Sequence, residues 1–182
     1  MAAASFNPTQ SVRFDLAQGA IRAGAEDDRV LLVPLTALMD VARSAPGEAV
    51  EALGRALGTA IGRRAAARIG NAQQSSLEDF VTQLAGEAAL AGIGILSVER
   101  WGRALVVVLE KSPLIGPLVG PLVGAALEAA TGRKVATTLL TRDEDYVRIL
   151  VSNENAVGRV REWIASGMAW GDAITKLHGG AS

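Results

Sequence analysis

Apolar residues recur along this chain in two rhythms, one of three to four positions and one of two, and the switches between them mark its elements. Between Glu48 and Ile69, Val50, Leu53, Leu57 and Ile61 follow helical spacing while Arg55, Arg63, Arg64 and Arg68 fall mostly off that stripe, which predicts a long helix. A shorter helix is read over Leu35 to Arg43, opened by Pro34 and Thr36 and broken by SAPGE. Ser75 and Glu78 form a capping box ahead of a helix with Leu77, Phe80, Val81, Leu84 and Ala88 on one face, which stops at Ala91-Gly92. Near the end, Ser152 and Asn153 are candidate caps for a helix over Glu154 to Ala165 with Val157, Val160 and Ile164 inward. Gly167 breaks it, and MAWGDAITKLH adds a last amphipathic piece before a terminal GGAS read as disordered.

The two-residue rhythm predicts strands at Val12 to Leu16 and at Arg29 to Val33, separated by the polar turn AGAEDD and closed by Pro34. ILSVERWGRALVVVLE reads as a hairpin about Trp101-Gly102, which sets Val98 opposite Leu105 and Leu96 opposite Val107, with Gly102 left-handed in a type II turn. Lys134 to Leu140 and Tyr146 to Val151 make a second pair, joined by TRDED.

Between the two strand pairs the unit Pro-Leu-(Ile/Val)-Gly is repeated three times from Pro113. Its uncharged run is about 16 residues, short of the ~20 a spanning helix needs. No Gly-Lys-Ser/Thr closes it as a phosphate loop. It is therefore read as an apolar loop feeding a helix from Pro121, where a proline N–H would have no partner anyway. In the long helix Gly54, Gly58 and Gly62 recur every fourth residue, each costing about 1 kcal/mol there, so another helix or a ligand must come close. The helix is the preferred reading.

Composition narrows function more than fold. The 182 residues make one domain of ordinary size, and a content of 49% hydrophobic but 4% aromatic residues with 20 Gly suits closely packed helices beside a modest sheet. Balanced charges, 18 basic against 19 acidic, leave no field to draw nucleic acid or an anionic membrane. The absence of Cys removes disulfides, thiolate metal sites and thiol nucleophiles. The N-terminus lacks the basic and apolar regions of a signal peptide, so a cytoplasmic location is expected. His178, the one histidine, is read as a solvated tail residue, and Asp143, Glu144 and Asp145 as an ordinary strand-to-strand turn rather than a metal site. Arg63, Arg64 and Arg68 are read as opposing the negative end of the helix dipole in preference to binding phosphate. No catalytic triad or paired carboxylate can be assembled, so no catalytic residue, metal or cofactor is assigned.

Several stretches in this order, RVLLVP (29–34), LGRALGTAIGRRAAARIG (53–70), SLEDFVTQLAGEAALAGIGILSVERWGRALVVVLEKSP (76–113) and GPLVGAALEAATGRKV (120–135), resemble the 4-vinyl reductase domain and its relatives, the Bet-three type subunits of the TRAPP transport particle. The resemblance covers about two-thirds of the chain. It implies an α+β fold in which helices and a twisted antiparallel sheet enclose an apolar pocket, dimerisation through helices, and a role in sensing hydrophobic molecules or in protein assembly rather than catalysis. The Cys residues that many members carry around the last strand pair are missing here, where Val147 follows Tyr146, so metal binding and acylation through Cys are excluded.

The expected organisation is an N-terminal region (1–28), the family-like domain (29–151) and a C-terminal helical extension (152–182). Gly54, Leu57, Gly58, Ile61, Gly62, Phe80, Leu84, Gly120, Leu122 and Gly124 are the candidates for a ligand pocket or for helix packing. In the extension Trp163, Met168, Trp170, Ile174 and Leu177 are candidates for interaction, against the alternative of packing on their own domain. The core is taken as complete before Ser152, so deleting residues from Gly167 onward is expected to leave it folded and to weaken association. The function expected is that of a non-enzymatic homodimeric binding module, either a sensor of a hydrophobic small molecule or an adaptor with a protein partner held through the extension. The alternative is an accessory subunit of an enzyme or a reductase-like factor. No nucleic-acid partner and no integral membrane segment are expected.

Overall fold

The computed structural model describes residues 5–24, 27–69, 77–102 and 104–179. After a 3-10 turn, a meander of β1 (Val12–Asp15), β2 (Ala20–Ala23) and β3 (Asp28–Val30) leads to three helices, α1 (Leu35–Ser44), α2 (Gly47–Ile69) and α3 (Leu77–Leu90). The hairpin β4 (Ile95–Trp101) and β5 (Ala104–Glu110) follows, then α4 (Gly116–Thr131) and the pair β6 (Ala136–Arg142) and β7 (Tyr146–Ser152). Helices α5 (Glu154–Ala165) and α6 (Trp170–Gly179) close the described chain. The fold is α+β, and its larger sheet is wholly antiparallel in the order β4-β5-β7-β6. Among the described residues no helix is long and apolar enough to cross a membrane.

β5 explains the layering. Both phases of its alternation are apolar, so both faces must be covered. Val107 and Leu109 point into a core shared with α2, α3 and α4, while Val106 and Val108 point into a second one under α5 and α6. β7 does the same with Ile149 on one side and Leu150 on the other. The sheet is thus the middle layer between two helical ones. This corrects the expectation that the core is complete before Ser152: Val106 and Leu150 are fully buried within the cluster that Val160, Ala173 and Ile174 complete.

The apolar repeat also differs from its reading. α4 begins at Gly116 rather than near Pro121, with Pro117 in its first turn and Pro121 inside it. A proline clashes with the N–H and Cβ of the residue before it, which disfavours helix there. Gly116 and Gly120 precede the two prolines and have no Cβ, so half of that clash is missing and the helix runs through. Gly132 ends it in the left-handed region (φ 70°), its N–H bonded to Glu128 O at 2.8 Å.

Three local expectations are revised. AIRA forms β2, a strand too short and too alanine-rich to show the two-residue rhythm. The strand expected over Arg29 to Val33 ends at Val30, because β2 begins at Ala20 and offers almost no partner beyond the Ile21–Val30 pair. In the β4–β5 hairpin Trp101 pairs with Ala104, so Val98 faces Val107 and Leu96 faces Leu109. Gly102 then takes the first central position of the turn (φ 62°), where a primed hairpin turn needs positive φ, and Trp101 stays in the strand. Ser75 of the capping box lies outside the described residues.

Candidate functional site

The residues expected to form a pocket or a packing face meet in the first core. A Cβ on Gly54 would lie 2.5 Å from the Leu118 carbonyl oxygen, and Cβ atoms on Gly58 and Gly62 would overlap the carbonyl oxygens of Leu122 and Ala126. The glycine stripe of α2 therefore lies directly on the backbone of α4. Ile61, Leu84 and Leu122 are buried in the same cluster, with Leu57 and Phe80 half-buried against it. Gly120 and Gly124 face the other way, onto Thr137 of β6, whose hydroxyl donates to Gly120 O at 3.0 Å.

Glu87 is the residue that sequence reasoning missed. It is fully buried, and its two carboxylate oxygens accept from Arg64 Nε at 2.8 Å and Arg68 Nε at 2.7 Å. The pair ties α2 to α3, and it gives Arg64 and Arg68 a specific partner in place of the general helix-dipole role. Arg68 also lies over the Phe6 ring, 5.0 Å from its centroid, while that ring packs on Gly86. The signal was in the sequence: Glu87 stands three residues after Leu84 and seven after Phe80, on the apolar stripe of α3, where an unpartnered carboxylate would not be tolerated.

On the opposite face of the sheet the aromatic residues gather. Trp101 and Trp170 meet edge to face with centroids 5.0 Å apart, and the Arg148 guanidinium lies over both Tyr146 (4.6 Å) and Trp170 (5.4 Å). Glu99 accepts from Trp101 Nε1 at 2.9 Å and pairs with Arg148 at 3.4 Å. The indole N–H is the leading cause that holds the Glu99 carboxyl below its usual range; burial pulls the other way, and the bond and charge of Arg148 add to the lowering. Trp163 sits between Arg159 and Lys176, its ring 4.7 Å from the lysine nitrogen. Trp163, Met168, Trp170 and Leu177 are half-buried against the second core and Ile174 is fully buried in it. The five interaction candidates thus pack on their own chain.

Beside this cluster lies an open cleft of about 450 Å³, lined by Gly102 and Ala104 at the hairpin turn, Ser152 at the end of β7, Ala156 and Arg159 in α5, and Leu177 and His178 at the end of α6. His178 is not a free tail residue: α6 runs to Gly179, and the imidazole Nε2 lies 2.6 Å from Trp101 O. A carbonyl only accepts, so the ring donates to it from Nε2. The cleft is thus lined by the polar side chains of His178, Arg159 and Ser152 beside apolar Ala104, Ala156 and Leu177. Ser152 and His178 both line it, and the imidazole bonds to Trp101 O rather than to Ser152. Among the described residues no group of His, Asp and Glu is placed to hold a metal ion.

No family model matches the chain, and no curated protein matches it either. Among solved structures it is similar to the crystal structure of the phenol-responsive sensory domain of the transcription activator PoxR with phenol, at a TM-score of 0.61 and 15% identity. The match covers 94% of this chain and 93% of that one, and it shows a shared fold from end to end.

Proposed function

We propose that this chain is a non-catalytic sensory module that binds a small, largely apolar molecule bearing one polar group, with hydroxylated aromatics as the first class to test. One observation carries the reading: the fold is shared over nearly its whole length with a domain described as phenol-responsive. The cleft supports it, because its volume lies within the range of small-molecule sites and it sets polar side chains, Arg159 among them, beside apolar walls. A ring seated against Leu177 and Ala156 would have the side chains of His178 and Arg159 as the partners to test for its hydroxyl. Such a ligand would join the end of α6 to the hairpin turn, and the position of α6 is the signal passed on. A cytoplasmic location accords with this role, since small aromatic molecules cross membranes unaided.

The test is titration with phenol and substituted phenols, followed by calorimetry and by the fluorescence of Trp101 and Trp170. Saturable binding that His178→Ala and Arg159→Ala each weaken at least about tenfold is expected, the loss of one buried hydrogen bond being worth about 1.5 kcal/mol. Absence of binding at millimolar concentration, or binding indifferent to both substitutions, refutes the assignment.

A further inference from the structure

We propose that Phe6 and the Arg64–Glu87–Arg68 triad form a latch that holds the N-terminal meander on α2 and α3 as a unit able to come away without unfolding the rest of the chain. Among the described residues the two core clusters contain none before Leu38, and the three strands of the meander form a sheet of their own. The residues buried within 5–24 are Ser11, Ala20 and Ala23, whose small side chains remove little apolar area from water. What fixes this unit must come from elsewhere.

It comes from two points on the seam between α2 and α3. At the first, the half-buried Phe6 ring rests on α3 where Gly86 has no side chain, and a Cβ there would overlap the ring carbons. The Arg68 guanidinium reaches from α2 to lie over this ring, 5.0 Å from its centroid. At the second, Gly24 sits against the stem of Arg64, where a Cβ would lie 2.9 Å from Cγ. The two points belong to one piece of chain: the Ser11 hydroxyl donates to Asn7 O at 2.9 Å, and the Gly24 N–H donates to Ser11 O at 3.1 Å. The turn that carries Phe6 and the end of β2 therefore move together.

Both arginines that meet the meander are the partners of Glu87. One fully buried carboxylate serves two guanidiniums whose side chains are only 15% and 19% exposed, so the triad carries an excess positive charge with little access to water. The negative face of an aromatic ring against Arg68 offsets part of that excess, and such a contact is worth more when desolvated than at an exposed site. Arg68 is in turn aimed by its Nε bond to Glu87 at 2.7 Å. Gly86 and Glu87 lie on α3, whose Leu84 and Ala88 are buried in the first core, so the position of α3 decides whether the latch can close. The device lies apart from the cleft beside α6 and shares no residue with it.

Native-state amide exchange of the full chain tests this. The amides of Ser11, Gly24 and β1 to β3 are expected to open by a route separate from those of β5 and β7. Phe6→Ala should speed exchange of the first set about tenfold or more, the scale of a lost aromatic contact, and leave the second set unchanged. Phe6→Tyr should keep the protection and Phe6→Leu lose it, since only an aromatic ring offers its face to Arg68. Glu87→Gln should speed the same set, and adding Phe6→Ala to it should do less than Phe6→Ala does in the parent, because the guanidinium is no longer held over the ring. Should Glu87→Gln misfold, Gly86→Ala fills the seat of the ring while leaving the triad intact, and it should free the same amides. The latch is overturned if Phe6→Ala speeds β5 and β7 equally, if Phe6→Ala or Gly86→Ala leaves the first set unchanged, if leucine protects as well as tyrosine, or if the effects at Phe6 and Glu87 simply add.

Discussion

Replacing Gly58 by alanine adds one methyl group, and the geometry says where it must go. The new Cβ would overlap the Leu122 carbonyl oxygen and lie 2.8 Å from the carbonyl carbon, both of them backbone atoms that cannot rotate aside. Relief requires α2 and α4 to part by roughly 1 Å, a gap that forfeits up to half of the dispersion energy along their contact. Overpacking of this kind costs about 3 kcal/mol, the upper end of the usual range, and the better helix propensity of alanine returns about 1 kcal/mol. A net loss of about 2 kcal/mol should lower Tm by about 4–8 °C for a chain of this size. Gly158→Ala is the matched control: it lies inside α5 with nothing within 4 Å of its added Cβ, so the same substitution should raise Tm by about 2 °C. Both variants are melted by circular dichroism beside the parent. If Gly58→Ala melts at or above the parent temperature, the α2 stripe is not the contact described and the argument from close approach fails.

Glu87→Ala should destabilise the fold by about 3–5 kcal/mol in urea titration, because Arg64 and Arg68 are left mostly buried without a counter-charge; a loss under about 1 kcal/mol would show that they reach solvent instead. Because the Glu99 carboxyl is held below its usual range, its contribution is present above the unfolded value of about 4.3 and is lost as pH falls through the lower folded value. Glu99→Gln should therefore flatten the acid limb of the Tm–pH profile, and an unchanged limb would exclude the Trp101–Glu99 bond as its source. Deleting residues from Gly167 onward removes Trp170 and Ile174 from the second core, at about 2–3 kcal/mol each, so Tm should fall by at least about 10 °C or cooperative melting be lost. A truncated chain that melts within a few degrees of the parent would restore the view that the core closes before Ser152.

Elements with strong periodicity or an explicit stop were legible from sequence. The helix at Glu154–Ala165 and its Asn153 cap are a case where one residue type has one physical use. The α+β class, which the family resemblance implied, is the one the structure has, and the shared fold accords with it. What sequence hid was partnership over distance. Nothing local says that Arg64 and Arg68 meet Glu87 some twenty residues on, or that the carbonyl of Trp101 meets His178. The double burial of β5 could have been inferred, since ALVVVLE is apolar in both phases, but the residues that cover its second face come more than forty positions later. The hairpin register slipped by two because a Trp-Gly turn and a turn beginning at Gly102 differ only in which strand pairings they reward.

The double burial of β5 also sets a condition on how the chain is made. During synthesis β5 leaves the ribosome with β4 alone beside it, and its other neighbour, β7, follows only after α4 and β6 have been produced. Until then Ala104 to Leu109 is a six-residue, charge-free, β-prone segment with one open edge, and its Val106–Val108 side is not fully covered until α5 and α6 follow. Segments of that composition seed aggregation when exposed. Arg100 before it and Glu110 and Lys111 after it are the flanking charges that oppose association of nascent chains until β7, α5 and α6 are in place.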